Sequence, residues 1–266
     1  MSTATCLAQT PASPQPAQPP PPAIPSPAAP PRQVPAFYRN LILLDPAHGG
    51  PDTGAQLPDN VLEKDVVLGF AQRLRPALAA QGFTVISTRD SDPAATLTTD
   101  QRAGTANHLH PLACILLHAT ATGTGIHIAS SSLTPLGDGI SPSRALPWAT
   151  AQAQIVPMSL RLANEIGLAL SNAQLPVVLL RASAPPIDNL ICPAVTVELA
   201  PLVPSSGDPS PVTDLAYQQR MIEAITTALA SFRTHNTPAP SAAPPAPPPP
   251  APKPTPVPAA NPGAAK

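Results

Sequence analysis

The sequence has few aromatic residues and little charge. Aromatic side chains make up 3% of the 266 residues, charged ones 11%, and the formal net charge is −1. Proteins that bind nucleic acid need clustered Lys and Arg for the phosphates and aromatic rings for the bases. We therefore predict no nucleic-acid partner. No apolar run approaches the roughly 20 residues that cross a bilayer, so no transmembrane segment is predicted either.

Cysteine is scarce, and its spacing excludes one kind of metal site. The chain has three cysteines and no Cys-x-x-Cys pair, so a zinc site built on thiolates is excluded. Cys114 and Cys192 lie in apolar stretches, and we interpret them as small buried side chains in preference to a disulfide. The N-terminus shows neither a basic segment nor an apolar one, so no signal peptide is predicted.

Proline is abundant but unevenly distributed. Twelve of the 43 prolines fall in residues 1–36 and 13 in residues 235–266. Proline removes backbone donors, and the Ala and Ser around it offer little to bury. We predict a disordered N-terminal arm at 1–37, a globular domain at 38–234 and a disordered C-terminal tail at 235–266.

Within the globular domain, short apolar runs alternate with helical patterns. Helices are predicted after Asp59-Asn60 up to Gly82, and over 100–107, 158–170 and 215–232. Strands are predicted at 41–44, 83–87, 113–117, 125–129, 177–180 and 194–197, and residues 130–147 form a predicted surface loop. Such alternation indicates a single α/β domain: a mostly parallel, twisted sheet of about six strands with helices on both faces.

Ionisable side chains follow three of the predicted strands. His48 comes soon after the first strand, His118 directly after the 113–117 strand, and Glu198 directly after the last. Ligands of open α/β sheets bind beyond the carboxyl ends of the strands. Imidazoles and one carboxylate are a common ligand set for catalytic zinc. Glu63, at the start of the first helix, is the best-placed third ligand.

Each of these residues has a simpler interpretation when taken alone. His48 could be a loop histidine in a Gly-rich turn, and His118 a hydrogen-bonded core histidine. With Asn60 as N-cap, Glu63 would occupy the third position of a capping box. Glu198 could be a surface acid. His108, His110 and His127 fit no ligand spacing and are interpreted as solvated or core residues.

Taken together, the segments resemble a known family. Five of them occur in order: Leu43-Leu-Asp-Pro-Ala-His-Gly-Gly-Pro-Asp-Thr-Gly-Ala55, Leu62-Glu-Lys-Asp65, Val85-Ile-Ser-Thr-Arg-Asp-Ser-Asp92, Leu117-His-Ala119 and Ala194-Val-Thr-Val-Glu-Leu199. This order is similar to that of the zinc-dependent N-acetylmuramoyl-L-alanine amidases of the amidase-3 family. The resemblance covers about residues 41–232.

The resemblance implies a site and a reaction. The family's zinc ligands fall on His48, Glu63 and His118, and its catalytic glutamate on Glu198. The implied activity is hydrolysis of the amide between N-acetylmuramic acid and L-alanine in peptidoglycan. The implied cofactor is Zn²⁺ and the implied location is the periplasm or cell envelope. Peptidoglycan is the implied partner, and the resemblance also allows for a protein activator.

Departures from the family pattern keep other functions open. Thr120 stands where the family usually has asparagine, and Ala47 where it usually has glycine. One alternative is therefore a catalytically weak or inactive peptidoglycan-binding module of the same fold. Another is a zinc hydrolase of a different amide, and a third is an interaction protein that works through its proline-rich arms. Arg89 and Asn107 match recurrent family positions and are assigned structural roles.

Overall fold

A computed structural model describes residues 40–136, 146–203 and 208–236 of the chain. The proline-rich arm predicted at 1–37 lies outside these residues. So does the predicted tail at 235–266, except for its first two residues. The middle of the loop predicted at 130–147 lies outside them as well.

The described residues form six strands and four α-helices. The strands are β1 (Leu41–Pro46), β2 (Thr84–Ser87), β3 (Ala113–Ala119), β4 (Ile126–Ser131), β5 (Val177–Ala182) and β6 (Ala194–Leu199). The helices are α1 (Glu63–Ala80), α2 (Thr99–Leu109), α3 (Val156–Asn172) and α4 (Leu215–His235). Three short 3₁₀ helices connect them, at Pro58–Asn60, Trp148–Gln154 and Ile187–Asn189. None of the described helices is both long and apolar enough to cross a membrane.

The strands form one sheet in the order β2-β1-β3-β6-β4-β5. All neighbouring pairs are parallel except β4 and β6, which are antiparallel. The predicted six-stranded, mostly parallel α/β sheet is therefore confirmed. Sequence order and spatial order differ most at β6, which lies between β3 and β4.

Side-chain alternation along the strands gives the sheet two different faces. One face, formed in part by Ile42, Ile115 and Ile126, packs against α1, α3 and α4 and holds most of the core. We call the opposite face the site face. Leu43, Leu116 and Ala194 lie on it, covered by the smaller helix α2 and the 3₁₀ helix at Ile187–Asn189.

A disulfide joins β3 to the segment that precedes β6, on the site face. Cys114 of β3 is bonded to Cys192, two residues before β6, although 78 residues separate them in sequence. The interpretation of these residues as unbonded apolar side chains is wrong. It failed because β3 and β6 are neighbours in the sheet, and nothing in the local sequence shows that they are.

Several strand boundaries also differ from the prediction. Strands β3 and β6 continue to Ala119 and Leu199, so that His118 and Glu198 lie within strands instead of following them. The apolar run ends before the strand does, because backbone pairing between parallel strands does not depend on the side chain. Strand β4 likewise extends to Ser131, into the predicted surface loop.

Candidate metal centre

Three of the residues singled out in the sequence meet at the carboxyl end of β1 and β3. Nitrogen atoms of His48 and His118 and a carboxylate oxygen of Glu63 all lie within 4.8 Å of one another. The residues come from a turn after β1, the first position of α1 and the end of β3. These are the three positions that the sequence predicted as metal ligands.

His48 is placed by a turn that few side chains adopt. Its φ is +61°, in the left-handed region, and glycines with positive φ follow it at 49 and 50. Nε2 of its ring lies 3.2 Å from Oε2 of Glu63, and Nδ1 lies 2.9 Å from the carboxylate of Asp52. The hydrogen bond with Glu63 raises the pKa of His48, burial opposes that rise, and Asp52 adds to it.

Glu63 is a buried carboxylate with four polar neighbours. Its Oε1 lies 2.9 Å from Nδ1 of His118 and accepts from the backbone N–H of Ala119, and its Oε2 accepts from the N–H of Ala55. Burial alone would raise the pKa of Glu63, but these hydrogen bonds and the one with His48 outweigh it and hold the pKa well below its usual range. The carboxylate is therefore ionised and aimed at both imidazoles.

The capping-box interpretation of Glu63 is wrong. Helix α1 begins at Glu63 itself, its N-cap residue is Leu62, and no side chain caps it. Asn60 belongs to the preceding 3₁₀ helix. The Glu63 carboxylate points away from its own helix, toward the neighbouring loop and strand, as a ligand would.

Glu198 lies beside this cluster on the adjacent strand. It is the register partner of His118 across the parallel β3–β6 pair, so both side chains emerge on the site face. Both line a cavity of about 260 Å³ whose other walls include Leu116, Ala129 and Pro186. A larger cavity of about 510 Å³ between α3 and α4 contains no member of the cluster. The cavity next to His118 is therefore the candidate substrate pocket.

Two buried arginines fix the turn that carries His48. Arg89 donates to the carbonyls of Pro46 and Ala47, and Arg102 donates to the carbonyls of Pro46 and His48. Arg102 also pairs with Asp45 at 2.5 Å, with both side chains almost fully buried. The structural role expected of Arg89 is thus observed, whereas no pattern in the sequence indicated the role of Arg102.

Asn107 also has the structural role predicted for it. Its side-chain amide donates to the carbonyl of Asn189 and accepts from the N–H of Ile191, which ties α2 to the segment before β6.

Sequence reasoning missed two side chains that contact the site residues. Asp52 hydrogen-bonds to His48. The sequence signal that could have indicated this contact is an Asp four residues after a predicted ligand. His127 lies 2.7 Å from Glu198, a contact that its interpretation as a solvated or core histidine did not include. The pairing of β4 with β6 produces that contact, and the sequence contains no cue to it.

Comparison with known proteins identifies a family. The family model described as N-acetylmuramoyl-L-alanine amidase matches residues 42–231. A 52-residue stretch is 56% identical to the germination-specific N-acetylmuramoyl-L-alanine amidase of Bacillus subtilis. A 97-residue stretch is 35% identical to N-acetylmuramoyl-L-alanine amidase AmiC of Neisseria meningitidis. The two matches cover 20% and 35% of this chain, and 22% and 23% of those proteins.

Solved structures share the fold. Ami1 of Mycobacterium smegmatis, an N-acetylmuramyl-L-alanine amidase, superposes with a TM-score of 0.59 at 21% identity, covering 75% of this chain and 99% of that one. The CwlD amidase of Clostridioides difficile, solved in complex with the GerS lipoprotein, gives a TM-score of 0.54 at 18% identity, covering 74% and 100%. At these identities the likeness concerns the fold alone.

Proposed function

This chain belongs to the N-acetylmuramoyl-L-alanine amidase family, and from that premise we propose that it is a zinc-dependent hydrolase of peptidoglycan. The bond cleaved would be the amide between N-acetylmuramic acid and the L-alanine of the stem peptide. The observation that supports this most directly is the convergence of His48, Glu63 and His118 next to Glu198, inside the segment that the family model matches.

The donor set suits zinc. Two imidazole nitrogens and one carboxylate oxygen are the protein ligands of several catalytic zinc sites, which keep a further position for water or substrate. The carboxylate is already ionised, and Asp52 holds the outer nitrogen of His48 as carboxylates do for zinc-binding histidines. A zinc ion bound by these three side chains would act as a Lewis acid, polarising the amide carbonyl and acidifying water.

Glu198 is the residue that we assign to proton transfer. Its side chain is 39% exposed and lines the cavity beside His118, so its carboxylate can reach a water molecule there. We propose that this carboxylate takes a proton from the attacking water and delivers it to the nitrogen of the departing L-alanine. The reaction then releases a free stem peptide and an intact glycan strand.

The direct test is release of stem peptides from peptidoglycan sacculi. The full chain with zinc should release peptides that begin at L-alanine, identified by mass spectrometry, and a chelator should abolish the release. Glu198→Gln should retain zinc and lose turnover, whereas His118→Ala should lose both. Glu165→Gln is the matched control, because Glu165 also pairs with a histidine, His235, but lies outside the cavity.

The outcomes separate the competing functions. One zinc per chain without peptide release would favour the inactive wall-binding module. Release of other amide products would favour a different zinc hydrolase. Full turnover by Glu198→Gln would show that the general base has been assigned wrongly.

We further propose that the protein works in the cell envelope or outside the cell, where its substrate is found. The Cys114–Cys192 disulfide supports an oxidising compartment. Peptidoglycan is the partner that we propose. A protein activator stays a prediction; the CwlD–GerS complex is an example of a protein partner bound to an amidase of this fold.

A further inference from the structure

His127 contacts the proposed general base but has no part in the mechanism above. Its Nδ1 lies 2.7 Å from Oε2 of Glu198. Because the antiparallel β4–β6 pair places these two residues directly opposite each other, both side chains emerge on the site face. His118, Glu198 and His127 therefore form a row across three adjacent strands, from a proposed metal ligand to a second histidine.

The role proposed for Glu198 sets the direction of the hydrogen bond. A general base must be an ionised carboxylate, which has only acceptor oxygens, so Nδ1 of His127 would carry the proton and donate it. The contact occupies Oε2 of Glu198 and leaves Oε1 to take a proton from water. His127 is the more buried of the two, with its side chain 20% exposed against 39% for Glu198.

The backbone around His127 holds its ring in place. Gly123, at φ +82°, approaches the ring so closely that a Cβ there would lie 2.7 Å from Cε1 and 3.0 Å from Nε2. The ring thus rests between this turn on one side and the Glu198 carboxylate on the other. A ring confined in this way can keep the carboxylate in one orientation.

We propose that His127 is a positioning residue for Glu198, and that its Nδ1–H holds Oε2 so that Oε1 faces the cavity shared with His118. This proposal rests on the proposed function. A carboxylate whose orientation is fixed before the reaction does not lose conformational freedom during the reaction. A misplacement of about 1 Å in such a group can cost on the order of 100-fold in rate. The role requires a hydrogen-bond donor at the Nδ1 position. It does not require the imidazole ring itself.

The substitutions that test this differ only in that donor. The amide nitrogen of asparagine can occupy the place of Nδ1, whereas leucine fills similar space without a donor. We expect His127→Leu to lower kcat about 10- to 100-fold with KM within about twofold. His127→Asn should stay within about fivefold of the wild type in kcat. Both variants should retain zinc, and His235→Leu, which breaks a similar pair away from the cavity, should leave kcat unchanged.

A second measurement reports on the hydrogen bond without turnover. Nitrogen-15 NMR of the imidazoles in the full chain should place the His127 proton on Nδ1, with the signal assigned by its loss in His127→Asn. In Glu198→Ala this proton should move to Nε2, the tautomer usual for a histidine without such a partner. A proton on Nε2 and none on Nδ1 in the wild type would overturn the proposal.

Kinetics then separate failure of this proposal from failure of the proposed function. An active wild type together with a His127→Leu variant within twofold of it would overturn the positioning role alone. Equal loss in His127→Leu and His127→Asn would overturn it too, because the donor would not be what matters. A wild type that releases no stem peptide, with zinc bound, would overturn the proposed function and this proposal with it.

Discussion

Removing Arg102 should destabilise the domain far more than removing an arginine from the surface. Arg102 donates to Oδ1 of Asp45 at 2.5 Å, to the carbonyl of Pro46 at 2.9 Å and to that of His48 at 2.6 Å. Its side chain is 6% exposed and that of Asp45 is 5% exposed. Arg102→Met keeps the apolar stem but leaves a buried carboxylate without its cation, which costs about 3 to 5 kcal/mol.

The matched control is Arg75, which pairs with Asp90 at the surface, where the two side chains are 39% and 69% exposed. Exposed ion pairs contribute about 0 to 1 kcal/mol, so Arg75→Met should change the free energy of unfolding little. Urea denaturation of the zinc-free proteins measures both values. For a domain of this size, the Arg102→Met loss corresponds to a fall in Tm of about 6 to 20 °C.

Two further measurements test the role of the buried Asp45–Arg102 pair. The double variant Asp45→Leu/Arg102→Met should be more stable than Arg102→Met alone, since it removes the unpaired charge as well. Arg102→Met should also bind zinc more weakly, because the turn bearing His48 loses a donor to its carbonyl. If Arg102→Met loses no more than about 1 kcal/mol of stability beyond Arg75→Met, the buried Asp45–Arg102 pair does not hold this turn.

Three other predictions concern the cluster, the disulfide and a buried phenol. Gly54→Ala should weaken zinc binding at least about 10-fold in a competition assay. At φ +66°, a Cβ on residue 54 would lie 2.5 Å from the His48 side chain and 2.6 Å from that of Glu63; unchanged zinc affinity would contradict the prediction. Reduction of the Cys114–Cys192 disulfide should lower the free energy of unfolding by about 2 to 5 kcal/mol in the wild type and not at all in Cys114→Ala/Cys192→Ala. Equal losses in both proteins would refute this prediction. Burial raises the pKa of Tyr217 to about 12. The contribution of the protonated phenol to the free energy of unfolding is therefore complete below pH 10 and is lost between pH 10 and 12. Relative to Tyr217→Phe, the wild type should therefore lose about 2 to 3 kcal/mol over that range, and parallel stability curves would refute it.

The features that could be predicted from the sequence are the strands themselves and the polar residues at or just after their ends. The apolar runs at 41–44, 113–117 and 194–197 identified β1, β3 and β6. Of the polar residues next to them, His48 and His118 meet in one cluster, and Glu198 is the register partner of His118. The strand predictions succeeded because the apolar pattern of a strand is a local property. The ligand assignment of Glu63 needed the resemblance to the family, since the sequence alone fitted a helix cap equally well.

Two of the features that were missed share one physical cause. The Cys114–Cys192 bond and the His127–Glu198 contact both join side chains on neighbouring strands or beside them, far apart in sequence. Lateral strand order is set by how the whole sheet packs against its helices, and here it inserts β6 between β3 and β4. The same insertion places Glu198 between His118 and His127. The position of β6 therefore creates both the proposed catalytic row and the two contacts that no local pattern could have shown.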